Sequence, residues 1–187
     1  MHYCKAIHDN YKQYNLFIDE EKTPSMNYMA LEEDKNNRRD TKKKDMSILC
    51  SDLSDLTFTV EQRIDVDGNF KFSLRSKSFC PPPIFRYDSM GPTHRNSNLP
   101  IPIDEQSVST PHFHRFTSDG YEIAYKTDAL KDINQENALK DISICVYHFM
   151  QEAHIKYENF DLIPSPGQLP FEKGTDIADP LENIAFE

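Results

Sequence analysis

Apolar and polar residues alternate through the middle of the chain and recur at three- and four-residue steps towards its two ends. Phe58, Val60, Ile64 and Val66 lead into Asp67-Gly68-Asn69, after which Phe70, Phe72 and Leu74 alternate with Lys71, Ser73 and Arg75 on the way to Phe79. Period two on both sides of an Asp-Gly step predicts a β-hairpin. Cys80-Pro81-Pro82-Pro83 stops the return strand, because proline has no N–H to give a ladder. Ile84 to Tyr87 predicts a third strand, and His112 to Phe116 with Tyr121 to Lys126 predict a second hairpin through Ser118-Asp119-Gly120. Between them Asn96 to Thr110, rich in Pro, Ser and Asn, reads as a long loop.

Leu139, Ile142, Val146, Phe149, Met150 and Ala153 form an apolar stripe that predicts one long helix over residues 137–155, preceded by a turn capped from Asp128. Tyr3, Ile7, Tyr11, Tyr14 and Ile18 predict a helix within residues 1–18. Thr23-Pro24-Ser25 breaks that pattern, and Met26 to Leu31 reads as a second helical stretch. It runs into a charge-dense segment, Glu32 to Asp45, whose interleaved signs suggest a solvated helix or loop. After Tyr157, prolines and a surplus of acids predict an extended or disordered tail. The fold class is therefore α+β: an antiparallel sheet of about five strands, packed against one long C-terminal helix and an N-terminal helix. Its expected division is a helical, charged region over 1–50, an α+β core domain over 51–157 and an acidic, Pro-containing tail over 158–187.

Composition narrows the partners. With 187 residues, 37% of them hydrophobic and 28% charged, the chain suits one domain with a modest core. A net charge of -10 argues against general coating of nucleic acid, which draws on clustered Lys and Arg. The same charge suits an acidic surface that keeps the protein soluble or, alternatively, one that competes for a basic partner. Cys4, Cys50, Cys80 and Cys145 contain no C-x-x-C pair, and no leader-like apolar stretch stands before them, so reduced thiols in a cytoplasmic protein are expected. No apolar run approaches the roughly 20 residues that span a bilayer.

The chemistry gathers between Asp88 and Tyr125. Asp88, Gly91-Pro92, His94, Arg95 and Asn96 precede the loop; Thr110-Pro111, His112, His114 and Arg115 follow it. On a strand His112 and His114 point the same way, with Phe113 opposite. With His94 they are candidate ligands of a divalent metal such as zinc, Asp88 or Asp119 adding an oxygen. The same imidazoles could instead share general acid and base work in RNA cleavage, since their ordinary pKa lies near neutrality. Arg95 and Arg115 would then hold the phosphate. The purely architectural alternative has His112 and His114 satisfying nearby backbone groups while His94 fixes the loop. His148 and His154 receive no role. Phe72, Phe79, Phe85, Tyr87, Phe113, Phe116 and Tyr125 read as core beneath the helix rather than a base-stacking platform.

Gly91, Pro92, His94 and Asn96, followed by Pro111, His112 and His114, resemble the Gly-Pro-x-His-x-Asn and Pro-His-x-His segments of a family of small, uncharacterised prokaryotic proteins of phages and other mobile elements. The likeness covers residues 58 to 155, ending at Phe149 to Ile155. It implies a bacterial or phage cytoplasmic setting near toxin-antitoxin or anti-defence genes. The expected function is action on a host nucleic-acid machine, as a small ribonuclease using His94, His112, His114, Arg95 and Arg115. The alternatives are an acidic, anti-CRISPR-like inhibitor of a defence nuclease and an antitoxin-like accessory subunit. The expected partner is a host nucleic-acid-processing protein or its RNA.

Overall fold

The computed structural model describes residues 2–34, 38–51 and 53–164. In chain order it contains α1 (Lys5–Asp9), α2 (Tyr11–Asp19), β1 (Thr23–Pro24), β2 (Tyr28–Ala30), β3 (Glu32–Asp34), β4 (Arg38–Leu49), β5 (Thr57–Arg63) and β6 (Phe70–Arg75). Then follow β7 (Phe85–Asp88), β8 (His94–Arg95), β9 (Ser107–Val108), β10 (His112–Phe116), β11 (Glu122–Tyr125), α3 (Asp128–Lys131), α4 (Ile133–Ala138), α5 (Ile142–Glu152) and β12 (Asp161–Ile163). Eight strands make one sheet in the order β1-β4-β5-β6-β7-β10-β11, with β3 also paired to β4. Every pairing in it is antiparallel. Two small pairs stand apart, β12 with β2 and β8 with β9.

The α+β architecture and its antiparallel sheet match the sequence pattern, but the sheet is wider than five strands. Two of the three extra strands come from the charge-dense segment, which is not a helix or loop, since β3 and β4 run through it, and the third, β1, comes from the Thr23-Pro24 break. Met46 and Ile48 are buried while Asp45, Ser47 and Leu49 are exposed, a period-two pattern hidden by three successive lysines before it. Those charges are accommodated by cross-strand pairs, Lys44 Nζ to Glu32 Oε1 at 2.6 Å and Lys43 Nζ to Glu61 Oε1 at 3.7 Å. Met26 to Leu31 is likewise not helical, since β2 lies there and pairs in parallel with β12. That pairing also places Asp161 to Ile163 in a strand, while residues 165–187 of the expected tail lie outside the described residues.

The single long C-terminal helix expected over 137–155 is shortened to α5, Ile142–Glu152, with α3 and α4 as separate short helices ahead of it. One aspartate starts a new helix inside the apolar stripe, Asp141, which accepts from the Ser143 N–H at 2.7 Å; ahead of the stripe Asp132 caps α4 by accepting from the N–H groups of Asn134 and Gln135. The N-terminal helix is divided as well, at Asn10. Among the described residues no helix is long and apolar enough to cross a membrane.

The register separates the sheet's two faces. Val60, Phe72, Tyr87, Phe113 and Tyr125 are direct neighbours across five strands. This apolar row faces α5, whose Phe149 ring lies 5.3 Å from those of Phe58 and Phe72 and 5.5 Å from that of Phe85. One residue along each strand, and so on the opposite face, runs a polar row: Lys43, Glu61, Lys71, Asp88 and His112. The next row on that face is Asp45, Thr59, Ser73, Arg86, His114 and Ala124.

The N-terminal segment belongs to the same body. Ile7, Tyr14 and Phe17 join the hydrophobic cluster. The Tyr14 hydroxyl donates to the Ile84 carbonyl at 3.0 Å and accepts from the Phe116 N–H at 2.9 Å, bridging the strands beyond the end of their own ladder. Lys22, fully buried, donates to the carbonyls of Ile18, Glu20 and Ala153 and so closes the ends of α2 and α5 together. Cys4 N–H donates to Gly120 O at 2.8 Å and Glu122 N–H to His2 O at 2.9 Å. Gly120 sits at φ +76, and a Cβ there would meet His8 Cβ at 2.7 Å. The second hairpin thus needs glycine both for its turn and for this close approach.

Candidate metal centre

Three strands deliver the site. Antiparallel register sets Asp88 of β7 opposite His112 of β10, and Arg86 opposite His114, so strand alternation brings four polar side chains onto one face. His94 arrives from the β8–β9 hairpin. Asn96, two residues on, fixes that hairpin to the sheet: its side-chain N–H donates to Ala124 O at 2.8 Å and its oxygen accepts from Ala124 N–H at 2.9 Å. The amide side chain thereby imitates one rung of a strand beside β11. Gly91, at φ +148, forms the turn at the pocket wall, where an L side chain would be strained.

The imidazoles converge. Ring centroids of His112 and His114 lie 4.6 Å apart, those of His94 and His114 5.0 Å, and those of His94 and His112 6.3 Å. One potential ligand atom from each of Asp88, His112 and His114 falls within 4.8 Å of the others, and all three residues are buried. This group could hold a metal ion. Of the candidate ligands read from the sequence, Asp88, His112 and His114 fall in this group, and His94 stands at the wall. The pocket, about 150 Å³, is lined by Lys71, Arg86, Thr93, His94 and Thr110 besides the three central residues.

Arg95 and Arg115 are not brought to it. Alternation on β10 turns Arg115 away from His112 and His114, and its guanidinium lies over the Tyr125 ring at 5.3 Å. Arg95 is exposed and reaches Gln106 at 3.4 Å. Asp119 is exposed in its turn, outside the group. The cations at the site are instead Arg86 and Lys71, and Glu122 stands behind His114. The alternation Phe85-Arg86-Tyr87-Asp88 carried the signal for Arg86, since its apolar neighbours face the core.

The group is densely charged. Asp88 Oδ2 lies 3.1 Å from His114 Nε2 and 3.2 Å from Arg86 Nε, and Lys71 Nζ is 3.7 Å from Asp88 Oδ1. Glu122 Oε1 lies 3.6 Å from His114 Nδ1 and 3.4 Å from Arg86 Nη2. Burial acts to raise the Asp88 pKa, but the His114 contact and the Arg86 and Lys71 charges outweigh it and hold the carboxyl below its ordinary range. Burial, reinforced by His114, pushes His112 down to about 4 and lowers His94 as well. Both are therefore neutral near pH 7, the form that ligates metals.

Many polar atoms here nonetheless lack a hydrogen-bond partner. Among buried side-chain atoms left unpaired are Asp88 Oδ1, His94 Nε2, His112 Nδ1, His114 Nδ1, Arg86 Nε and Glu122 Oε2. Native interiors leave few such atoms, and each costs about 1–3 kcal/mol. Their concentration at one place fits a site completed by a bound ion, and the N/O donor set suits zinc or a similar divalent metal. No family model matches the chain, and no curated protein or solved structure matches it.

Proposed function

We propose that this protein is a metal-dependent hydrolase of phosphodiesters, with RNA handled by a host nucleic-acid machine as its substrate and a phage or mobile-element setting. The observation that carries the reading is the convergence of Asp88, His112 and His114 within 4.8 Å, with unpaired buried acceptors, in a pocket that also holds Lys71 and Arg86. Asp88, His112 and His114 would hold the ion. A zinc-like ion, when bound, supplies Lewis acidity and a water acidified towards neutral pH. Lys71 and Arg86 orient the phosphate by its oxygens. His94, neutral at pH 7 and beside the cluster, accepts a proton at a ring nitrogen.

Burial weakens the metal-free form of the ribonuclease. Acid-base cleavage by the His94 and His112 pair needs one of them protonated near neutrality, yet both are shifted away from that state. The acidic-inhibitor reading draws on the net charge of -10. One experiment separates the two. Protein purified from zinc-supplemented medium is expected to carry about one zinc per chain, to lose it in His112→Ala and His114→Ala, and to cleave single-stranded RNA only when loaded. Protein that takes up no zinc, or zinc-loaded protein that leaves RNA intact, while binding a basic nuclease tightly would overturn the hydrolase.

A further inference from the structure

Arg86 already occupies the position that an incoming ion's charge would take. Its Nη2 lies 3.1 Å from His114 Nε2; a guanidinium only donates, so although an Nε2 proton can be given to Asp88 in one tautomer, this contact is made in the other, with the lone pair on Nε2. The ring proton then sits on Nδ1, facing Glu122 Oε1 at 3.6 Å. Asp88 Oδ2 approaches the same Nε2 at 3.1 Å. Two acceptors that close repel each other unless a cation lies against both, and Arg86 is that cation. Its fit is incomplete, however. Arg86 Nε is 3.2 Å from Asp88 Oδ2 but misaligned, so it makes no hydrogen bond, and Asp88 Oδ1, 3.7 Å from Lys71 Nζ, and His112 Nδ1 make none either. The guanidinium balances the charge of the site without satisfying its geometry.

We propose that Arg86 is a displaceable stand-in for the metal, and that its release on metal binding creates the pocket's oxyanion-binding arm. The inference rests on the metal-centre reading above and adds an order to it: ion first, phosphate second. A divalent ion taking the Asp88 and His114 acceptors repels the guanidinium from them. Arg86, which lines the pocket alongside Lys71, then offers its planar fork to a tetrahedral oxyanion. Before that, the fork is engaged by Asp88, Glu122 and His114, and the pocket binds anions weakly.

Zinc affinity, measured by competition with a chromophoric chelator, and inorganic phosphate affinity with and without zinc, measured by calorimetry, test this in the full chain. Wild-type protein is expected to bind phosphate about tenfold more tightly with zinc present, the ratio that one freed charge-assisted contact gives. Arg86→Gln removes the competing charge and is expected to bind zinc about tenfold more tightly, with phosphate affinity responding to zinc about tenfold less than in wild type. Arg86→Lys keeps a positive charge for folding but cannot span the acceptors, and its zinc affinity is expected to lie between the two. Phosphate binding by wild type that ignores zinc overturns the proposal, as does zinc affinity in either folded variant equal to or below that of wild type. Zinc binding in wild type that disappears in His112→Ala leaves the metal centre standing in those cases. A wild type that takes up no zinc removes the centre and the stand-in together.

Discussion

His112 makes the burial of the cluster measurable as a pH effect. Its ring is 2% exposed, and its pKa falls from 6.5 to about 4 because burial disfavours the imidazolium, with His114 adding to the effect. Between those values the unfolded chain binds the proton and the folded one does not, so stability contributed by neutral His112 is complete above pH 6.5 and is lost as pH falls towards 4. The shift corresponds to about 3 kcal/mol. Urea unfolding of wild type and His112→Asn at a series of pH values should show the wild-type curve falling more steeply with acid, the difference changing by about that amount between pH 7 and 4. Parallel curves would mean that water reaches the ring. At this scale the sequence was legible where residue type and spacing coincided, as for His112, His114 and Asp88. It misled where proximity in sequence was taken for proximity in space. Arg95 and Arg115 each adjoin a histidine on a strand, and adjacency on a strand means opposite faces. Glu122 was missed because its approach to His114 depends on pairing with β10, which no local pattern announces.

The β8–β9 hairpin shows how one side chain can hold an element in place. It pairs only with itself, and Asn96 joins it to β11 through both polar atoms of its amide. Asn96→Ala leaves the buried N–H and C=O of Ala124 without these partners, at a cost of about 2 kcal/mol or more. Hydrogen exchange should show fast opening at Ala124 in this variant, and zinc affinity should stay near wild type because His94 lies outside the ligand group. An unchanged Ala124 amide would show that the hairpin is held by other contacts. Element-level prediction from the sequence succeeded for β5 and β6, where an Asp-Gly turn separates two alternating runs. It failed for β4, whose lysines alternate in direction but not in polarity, and for the long helix, where Asp141 lies within the expected span and acts as a cap.

The molecule as a whole unites segments that composition separates. Residues 1–50 look like a polar appendage, yet Ile7, Tyr14, Phe17, Met29, Leu31, Met46 and Ile48 enter the same hydrophobic cluster as Phe58, Phe72 and Phe149. β4 covers the edge of β5 along seven paired residues. A fragment starting at Ser51 is therefore expected to lack a cooperative urea transition and to bind hydrophobic dye, whereas the whole chain should unfold in one step. A fragment that melts sharply would restore the 51–157 region as an independent domain. Long-range pairing of this kind is invisible to a reading that proceeds by local period, because each strand of the pair is ambiguous until its partner is known.

The contacts of His2 and Cys4 with the Gly120 turn carry a practical consequence. The strand that presents Glu122 to His114 is held from outside by backbone bonds to the first few residues. An affinity tag or fusion partner attached ahead of His2 would pull on that hairpin, and the disturbance would be felt at the histidines.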